Sequence, residues 1–183
     1  MSITKTIIAA SIVSLTAATA TLAQDGKYFD GSYVGIEGGL DWTELAIDSN
    51  SDNSLYYGGV IGFRNQMDSG IVTGIEGSFG DTGYKNDLTG THSNYEWSAS
   101  LILGKAFGQD GTNLLYGKAG YVRTNFDATP ADDDSYGEGG WRFGGGYERA
   151  VNERLSMRLG ADYTTYGNDE NAWQTKAGVL VSF

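Results

Sequence analysis

Asn171-Ala172-Trp173-Gln174-Thr175-Lys176-Ala177-Gly178-Val179-Leu180-Val181-Ser182-Phe183 ends the chain on an aromatic residue. In extended backbone successive side chains point to opposite faces. Trp173, Thr175, Ala177, Val179, Val181 and Phe183 therefore share one face, and Gln174, Lys176, Gly178, Leu180 and Ser182 share the other. The first face suits hydrocarbon; the second, with its lysine, does not. A strand of this length and asymmetry fits a thin membrane crossed by a closed barrel, because backbone polar groups in lipid must be paired within the wall.

Working back from this stretch, seven earlier segments repeat the pattern, each about ten residues of alternating character followed by a turn or a polar loop. Val34, Ile36, Leu40 and Trp42 lie opposite Tyr33, Glu37 and Asp41. Leu55, Tyr57, Ile61 and Phe63 lie opposite Tyr56, Val60 and Arg64, and Ile71, Ile75 and Phe79 opposite Val72, Glu76 and Ser78. Tyr95, Trp97, Leu101 and Leu103 oppose Glu96, Ser98, Ser100 and Ile102. Leu115, Ala119 and Tyr121 oppose Tyr116, Lys118 and Val122, a register set by keeping Lys118 off lipid. Trp141, Phe143 and Tyr147 then oppose Arg142 and Glu148, and Leu155, Met157, Leu159 and Tyr163 oppose Ser156, Arg158, Asp162 and Thr164. Connections near residues 65–70, 108–113 and 150–154 are short, whereas the alternate ones are long and polar. The pattern predicts an all-β fold, an eight-stranded antiparallel up-and-down transmembrane β-barrel, with short turns on the periplasmic side.

On this register the mid-strand charges point into the lumen: Glu37, Glu76, Glu148 and Asp162 against Arg64, Lys118, Arg142, Arg158 and Lys176, four acids and five bases. A lysine or arginine at the lipid midplane costs about 2–4 kcal/mol, so solvation rather than strand propensity enforces the alternation. Lys105, Arg123 and Arg149 fall on the lipid side, each near a strand end. An eight-stranded lumen is just wide enough for side chains, so the inward charges are expected to pair as a polar core, Lys176 with Glu37 on the neighbouring first strand. With a periplasmic N-terminus, Trp42, Trp97, Trp141 and Trp173 form an aromatic girdle at the outer rim, and Phe63, Phe107, Tyr147 and Phe183 lie near the inner one.

Composition sets the class. The 183 residues include 28 glycines, one proline and no cysteine, with 13% aromatic residues, a share that argues against disorder. Lys5, the apolar residues 7–15 and the small residues ending in Thr21-Leu22-Ala23 fit a secretory signal peptide, cleaved after Ala23 or, alternatively, Ala20. The expected divisions are a signal peptide (1–23), a short periplasmic N-terminal segment (24–31) and the barrel (32–183). An uncleaved anchor is disfavoured because residues 7–22 are few and rich in Ala, Ser and Thr. No later window is long and apolar enough for a spanning helix. Without cysteine, no disulfide supports the exported fold. The net charge of −11, or −12 once Lys5 is removed, opposes attraction to nucleic acid, and no such partner is expected.

The segments Ser32-Tyr33-Val34-Gly35, Gly140-Trp141-Arg142-Phe143-Gly144-Gly145-Gly146-Tyr147-Glu148, Leu155-Ser156-Met157-Arg158-Leu159-Gly160-Ala161-Asp162-Tyr163 and the terminal Val181-Ser182-Phe183 follow in an order that resembles the small eight-stranded outer-membrane barrels of the opacity-protein and outer membrane protein A or X type. The resemblance covers the whole of 32–183. It implies insertion in a Gram-negative outer membrane among lipid and lipopolysaccharide. It also implies that Val179, Val181 and Phe183, preceded by Ala177, act as the signal read by the barrel-assembly machinery. Because the chain stops at Phe183, the periplasmic peptidoglycan-binding domain of outer membrane protein A is not expected.

Few residues suggest chemistry. His92 and Ser93, with Glu96 nearby, are the residue types used by membrane-embedded lipid-modifying enzymes. His92 is expected in an outer loop, however, with no second polar group to orient it, and a nucleophile needs a positioned base. Asp48-Ser49-Asn50-Ser51-Asp52 matches the opening of a calcium loop, but Asn53 replaces the required glycine and Gly59 stands where the bidentate glutamate belongs. This stretch and Asp132-Asp133-Asp134, with Asp127 and Glu138, read as solvated loops. Gly137, Gly139, Gly140 and Gly144 to Gly146 lack the strand-to-helix context and lysine of a phosphate loop and suit a narrow curved wall. The expected function is therefore structural and surface-exposed, with no catalytic site, metal or cofactor, and the expected state is a monomer. A narrow channel for small solutes is the alternative, and a lipid-modifying enzyme the third. A soluble lipocalin-type barrel would reverse the two faces.

Overall fold

The eight alternating segments form eight long strands, joined by one two-residue strand, in a computed structural model that describes residues 27–44, 53–81, 85–86, 91–127, 136–166 and 171–183. They are β1 (Gly31–Glu44), β2 (Asn53–Gln66), β3 (Ile71–Asp81), β4 (Lys85–Asn86), β5 (Thr91–Phe107), β6 (Asn113–Asp127), β7 (Tyr136–Ala150), β8 (Leu155–Tyr166) and β9 (Asn171–Ser182). Eight long strands pair antiparallel around a closed ring, β3 joining β5 on one side and β9 joining β1 on the other. The two-residue β4 lies against the start of β5, Lys85 opposite His92 and Asn86 opposite Thr91. The proposed signal peptide and the first residues of the 24–31 segment lie outside the described residues.

The strand pairings fix the shape. Following partners once around the wall leads from Tyr33 to Gly62, Glu76, Ser100, Gly120, Arg142, Thr164, Ala172 and back to β1 at Thr43. The return is ten residues further along β1, so the barrel has eight strands and a shear of ten. With a rise of about 3.3 Å per residue and about 4.8 Å between strands, the strands tilt by about 41° and the backbone cylinder has a radius of about 8 Å. Each row of paired residues therefore climbs from the short-turn rim towards the other as it passes β1, β2, β3 and onward.

Burial follows the alternation. Ile36 is 72% exposed and its neighbour Glu37 only 5%; Leu101 is 67% exposed and Ile102 4%. Apolar side chains face outward and charged ones inward, the reverse of a soluble barrel, because lipid rather than water surrounds the wall. The short connections are tight turns. In residues 67–70, Gly70 N–H donates to Met67 C=O at 2.8 Å, and Gly70 adopts φ +79°, a left-handed conformation that glycine takes without strain. The lumen is crowded enough to require glycine opposite bulky groups. A Cβ on Gly62 would run into the Tyr33 ring, and one on Gly178 would lie 2.8 Å from Glu37 Cγ.

Candidate functional site: the charged lumen

Reading up from the short-turn end, the lumen begins with an apolar layer. Phe29, which precedes β1, is fully buried against Val72, Ile102, Ala106, Leu114, Tyr116 and Ala150. Within the expected 24–31 segment, Phe29 turns into the barrel mouth. Its amide donates to Gln66 Oε1 at 2.9 Å, Gln66 N–H donates to Asp30 Oδ1 at 2.8 Å, and Lys27 reaches Asp68 at 2.8 Å. That pair raises the Lys27 pKa and lowers that of Asp68, each mainly through the hydrogen bond they share. The signal for this contact was the pair Tyr28-Phe29 beside Asp30-Gly31, which has no alternation to mark it.

Above Phe29 the charges alternate in sign along one connected chain. Arg64 binds Glu148 at 2.8 Å, Glu148 accepts from Arg158 Nε at 3.2 Å, and Arg158 also binds Glu76. Glu76 lies 3.6 Å from Lys118, Lys118 lies 3.1 Å from Asp162, and Asp162 lies 3.0 Å from Lys176. Each acid in this chain stands between two bases, which is what burial of ionised groups demands. Tyr33 donates its hydroxyl to Glu76 at 2.7 Å while its ring lies 4.1 Å from the Arg64 guanidinium carbon, and Ser156 donates to Glu148 at 2.6 Å. The links span the barrel. Arg64 on β2 and Glu148 on β7 stand on opposite sides of the ring, as do Glu76 on β3 and Arg158 on β8.

A second cluster fills the other end. Arg142 makes a bidentate pair with Glu96 at 2.6 and 2.8 Å and donates from Nε to Thr164 at 2.9 Å. Gln174 donates to Asp41 at 2.8 Å. Glu96 and Asp41, inward by their register, add to the mid-strand charges. Among the described residues the buried lumen charges are therefore six acids (Glu37, Asp41, Glu76, Glu96, Glu148, Asp162) and five bases (Arg64, Lys118, Arg142, Arg158, Lys176). This reverses the sign of the expected balance.

The expected pairing of Lys176 with Glu37 is corrected. Lys176 faces the lumen but binds Asp162 and lies 4.2 Å from the Tyr56 ring centroid, while Glu37 accepts from Arg158 at 3.3 Å. Glu37, Gly178 and Arg158 stand in one row, and the missing side chain of Gly178 lets Arg158 reach past β9 to β1. Lys176 then turns to the diagonal acid on β8.

On the outer wall Trp97, Trp141 and Trp173 are 39%, 60% and 53% exposed, and Trp42 pairs with Trp173 in the strand register. Tyr121 packs edge-on against Trp141 with centroids 6.1 Å apart, and Tyr163 lies tilted against Trp173 at 4.9 Å. Near the short turns, Phe107 and Tyr147 are 6.4 Å apart, and Val179, Val181 and Phe183 face outward along β9 and its end. His92, expected in a loop, has its backbone in β5 opposite Asp127, because that strand continues past the girdle; its side chain lies outside the described residues. So do the acidic stretches 48–52 and 132–134.

A closed antiparallel wall with an apolar exterior and an ionic interior limits the relatives that would fit, and the profile of the outer membrane protein β-barrel domain matches residues 8–183. The chain belongs to this outer-membrane β-barrel family. Family members similar to it include a 22 kDa outer membrane protein of Rhizobium leguminosarum bv. viciae, 30% identical over 84% of this chain and 79% of that one. A 25 kDa outer-membrane immunogenic protein of Brucella ovis is 26% identical over 84% of this chain and 77% of that one. The crystal structure of Ail, the attachment invasion locus protein of Yersinia pestis, shares the fold with a TM-score of 0.62 at 13% identity, covering 84% of this chain and 99% of Ail. The family places the protein in the Gram-negative outer membrane.

Proposed function

We propose that this barrel is a non-catalytic structural and surface-exposed component of the outer membrane rather than a solute channel. The observation that carries this reading is the chain of ion pairs spanning the lumen between opposite strands, with Phe29 seated beneath it. A solute crossing such a lumen has to displace several buried, mutually compensated charges at once. Planar-bilayer recording tests it: the reconstituted protein gives no steady conductance, and a stable conductance state would establish the channel reading instead. Mass spectrometry of lipid A from cells with and without the protein is expected to show no difference, which tests the non-catalytic half.

The remaining roles belong to the same proposal. Residues 1–23 serve as a signal peptide cleaved after Ala23, Val179, Val181 and Phe183 present the assembly signal, and Trp42, Trp97, Trp141 and Trp173 form the girdle beside lipopolysaccharide. The barrel acts as a monomer without a cofactor. The connections opposite the short turns carry Asp48, Asp52, Asp87, Asp132, Asp133, Asp134, Asp169 and Glu170, so contacts at that surface favour cationic partners. Relatives described as immunogenic or as an attachment protein support a surface-contact role.

A further inference from the structure

The three cations on the lipid side are not equivalent. Lys105 is engaged locally, its ammonium donating to the Ser69 carbonyl in the adjacent turn. Arg123 stands at the outer end beside Trp97. Arg149, near the short-turn end of β7, is exposed and takes part in none of the described ion pairs or side-chain hydrogen bonds. It borders a groove of about 700 Å³ cut into the outer wall across β7, β8, β9 and β1. The groove exists because two small residues, Ala177 and Gly38, stand side by side in one row, flanked by Leu159 in that row and by Val179 and Ile36 in the next.

The barrel geometry sets its direction. The row that starts at Arg149 passes through Met157 and Val179 to Ile36, and rows climb from the short-turn rim as they cross from β7 to β1. Arg149 therefore stands near the bottom of the groove, with only Val151 of the turn beneath it; with the short turns periplasmic this is headgroup level of the periplasmic leaflet, and the apolar groove rises from there into the hydrocarbon. The turn that follows contributes one exposed acid and one exposed base, Glu153 and Arg154, so its side chains add no net charge beside Arg149. Tyr147, 36% exposed beside it, commits its hydroxyl to Asn113 and supplies an aromatic wall.

We propose that this groove holds one glycerophospholipid of the periplasmic leaflet, its phosphate on Arg149 and an acyl chain laid over Gly38 and Ala177. The charge, depth and apolar lining match a molecule with a phosphate at one end and a chain at the other. A planar guanidinium suits bidentate contact with phosphate oxygens.

Native mass spectrometry of the refolded barrel in detergent, titrated with phosphatidylglycerol and separately with lipid A, tests this. Wild type is expected to retain one phosphatidylglycerol. Arg149→Gln weakens retention about five- to tenfold, the size of one lost charge-assisted contact. Gly38→Leu fills the groove and abolishes retention. A Cβ at Gly38 has only the Tyr56 carbonyl within 4 Å, at 3.7 Å, so the wall accepts the side chain. Gly117→Leu adds the same bulk at another open outward position, 3.8 Å from the Gly144 carbonyl, and leaves retention unchanged. Each variant is confirmed as folded by its heat-dependent gel mobility. The proposal is overturned if Gly38→Leu or Arg149→Gln binds phosphatidylglycerol like wild type, if Gly117→Leu loses it equally, or if lipid A outcompetes phosphatidylglycerol in wild type.

Discussion

Glu148 carries the lower lumen: it is fully buried, stands between Arg64 and Arg158, and accepts from Ser156. Glu148→Gln keeps the volume but leaves the buried Arg64 guanidinium without its acid, while Arg158 keeps Glu76 and Glu37, and is expected to destabilise by about 3 kcal/mol. Urea unfolding in lipid vesicles would show this as a lower midpoint. Glu96 and Arg142 permit a sharper comparison, since they form a nearly closed pair with each other. Glu96→Gln alone should cost a comparable amount, whereas joint replacement by Glu96→Leu and Arg142→Met should be close to neutral, because the desolvation penalty is removed with the attraction. An additive double variant would show that the two charges do not interact in the folded wall. The partner of Lys176 could not be read from the sequence for the same reason that Glu96 was undervalued. Which inward acid a lysine meets depends on the lateral offset of rows and on gaps such as that at Gly178, neither of which strand alternation reveals.

At the scale of elements, the segment before β1 is held by the Phe29 contacts, the Gln66 and Asp30 hydrogen bonds and the Lys27–Asp68 pair. Phe29→Ala removes a ring buried among six side chains and is expected to lower stability by about 3–5 kcal/mol. Because the ion-pair chain above it stays intact, the same variant is expected to remain non-conducting in planar bilayers. The Lys27–Asp68 pair contributes little because Asp68 is fully exposed and Lys27 only half-buried. Its contribution is present above the ordinary Asp pKa and fades as pH falls through the lowered pKa of Asp68. Asp68→Asn should therefore flatten the acid side of a thermal-stability profile only slightly. The eight long strands were legible because lipid outside and charge inside impose opposite demands on successive residues. Beyond the bilayer that contrast ends, and the sequence reading consequently placed His92 in a loop and gave no sign of β4.

For the whole molecule, eight strands and a shear of ten imply a strand tilt of about 41° from the barrel axis. Polarised infrared spectroscopy of oriented bilayers should recover this angle from the amide I dichroism; a tilt below about 35° would contradict the pairing register. The antiparallel order and the facing of each strand could be read from residues such as Ile36 beside Glu37 or Leu101 beside Ile102. The shear could not, because it is a sum of offsets around the ring and each offset is set by turn geometry as much as by side chains. The outer wall was legible as apolar, but its relief was not. The groove beside Arg149 depends on Ala177 and Gly38 meeting across two strands far apart in sequence.

The seat of Phe29 also orders events in time. Its lining comes from β3, β5, β6 and β7, whereas the residue itself enters ahead of β1, which pairs only with β2 and β9. No nascent hairpin contains that seat, so Phe29 can become shielded only after the sheet has curled round on itself. A probe at position 29 would therefore be a clock for completion, silent through strand insertion and changing signal at closure.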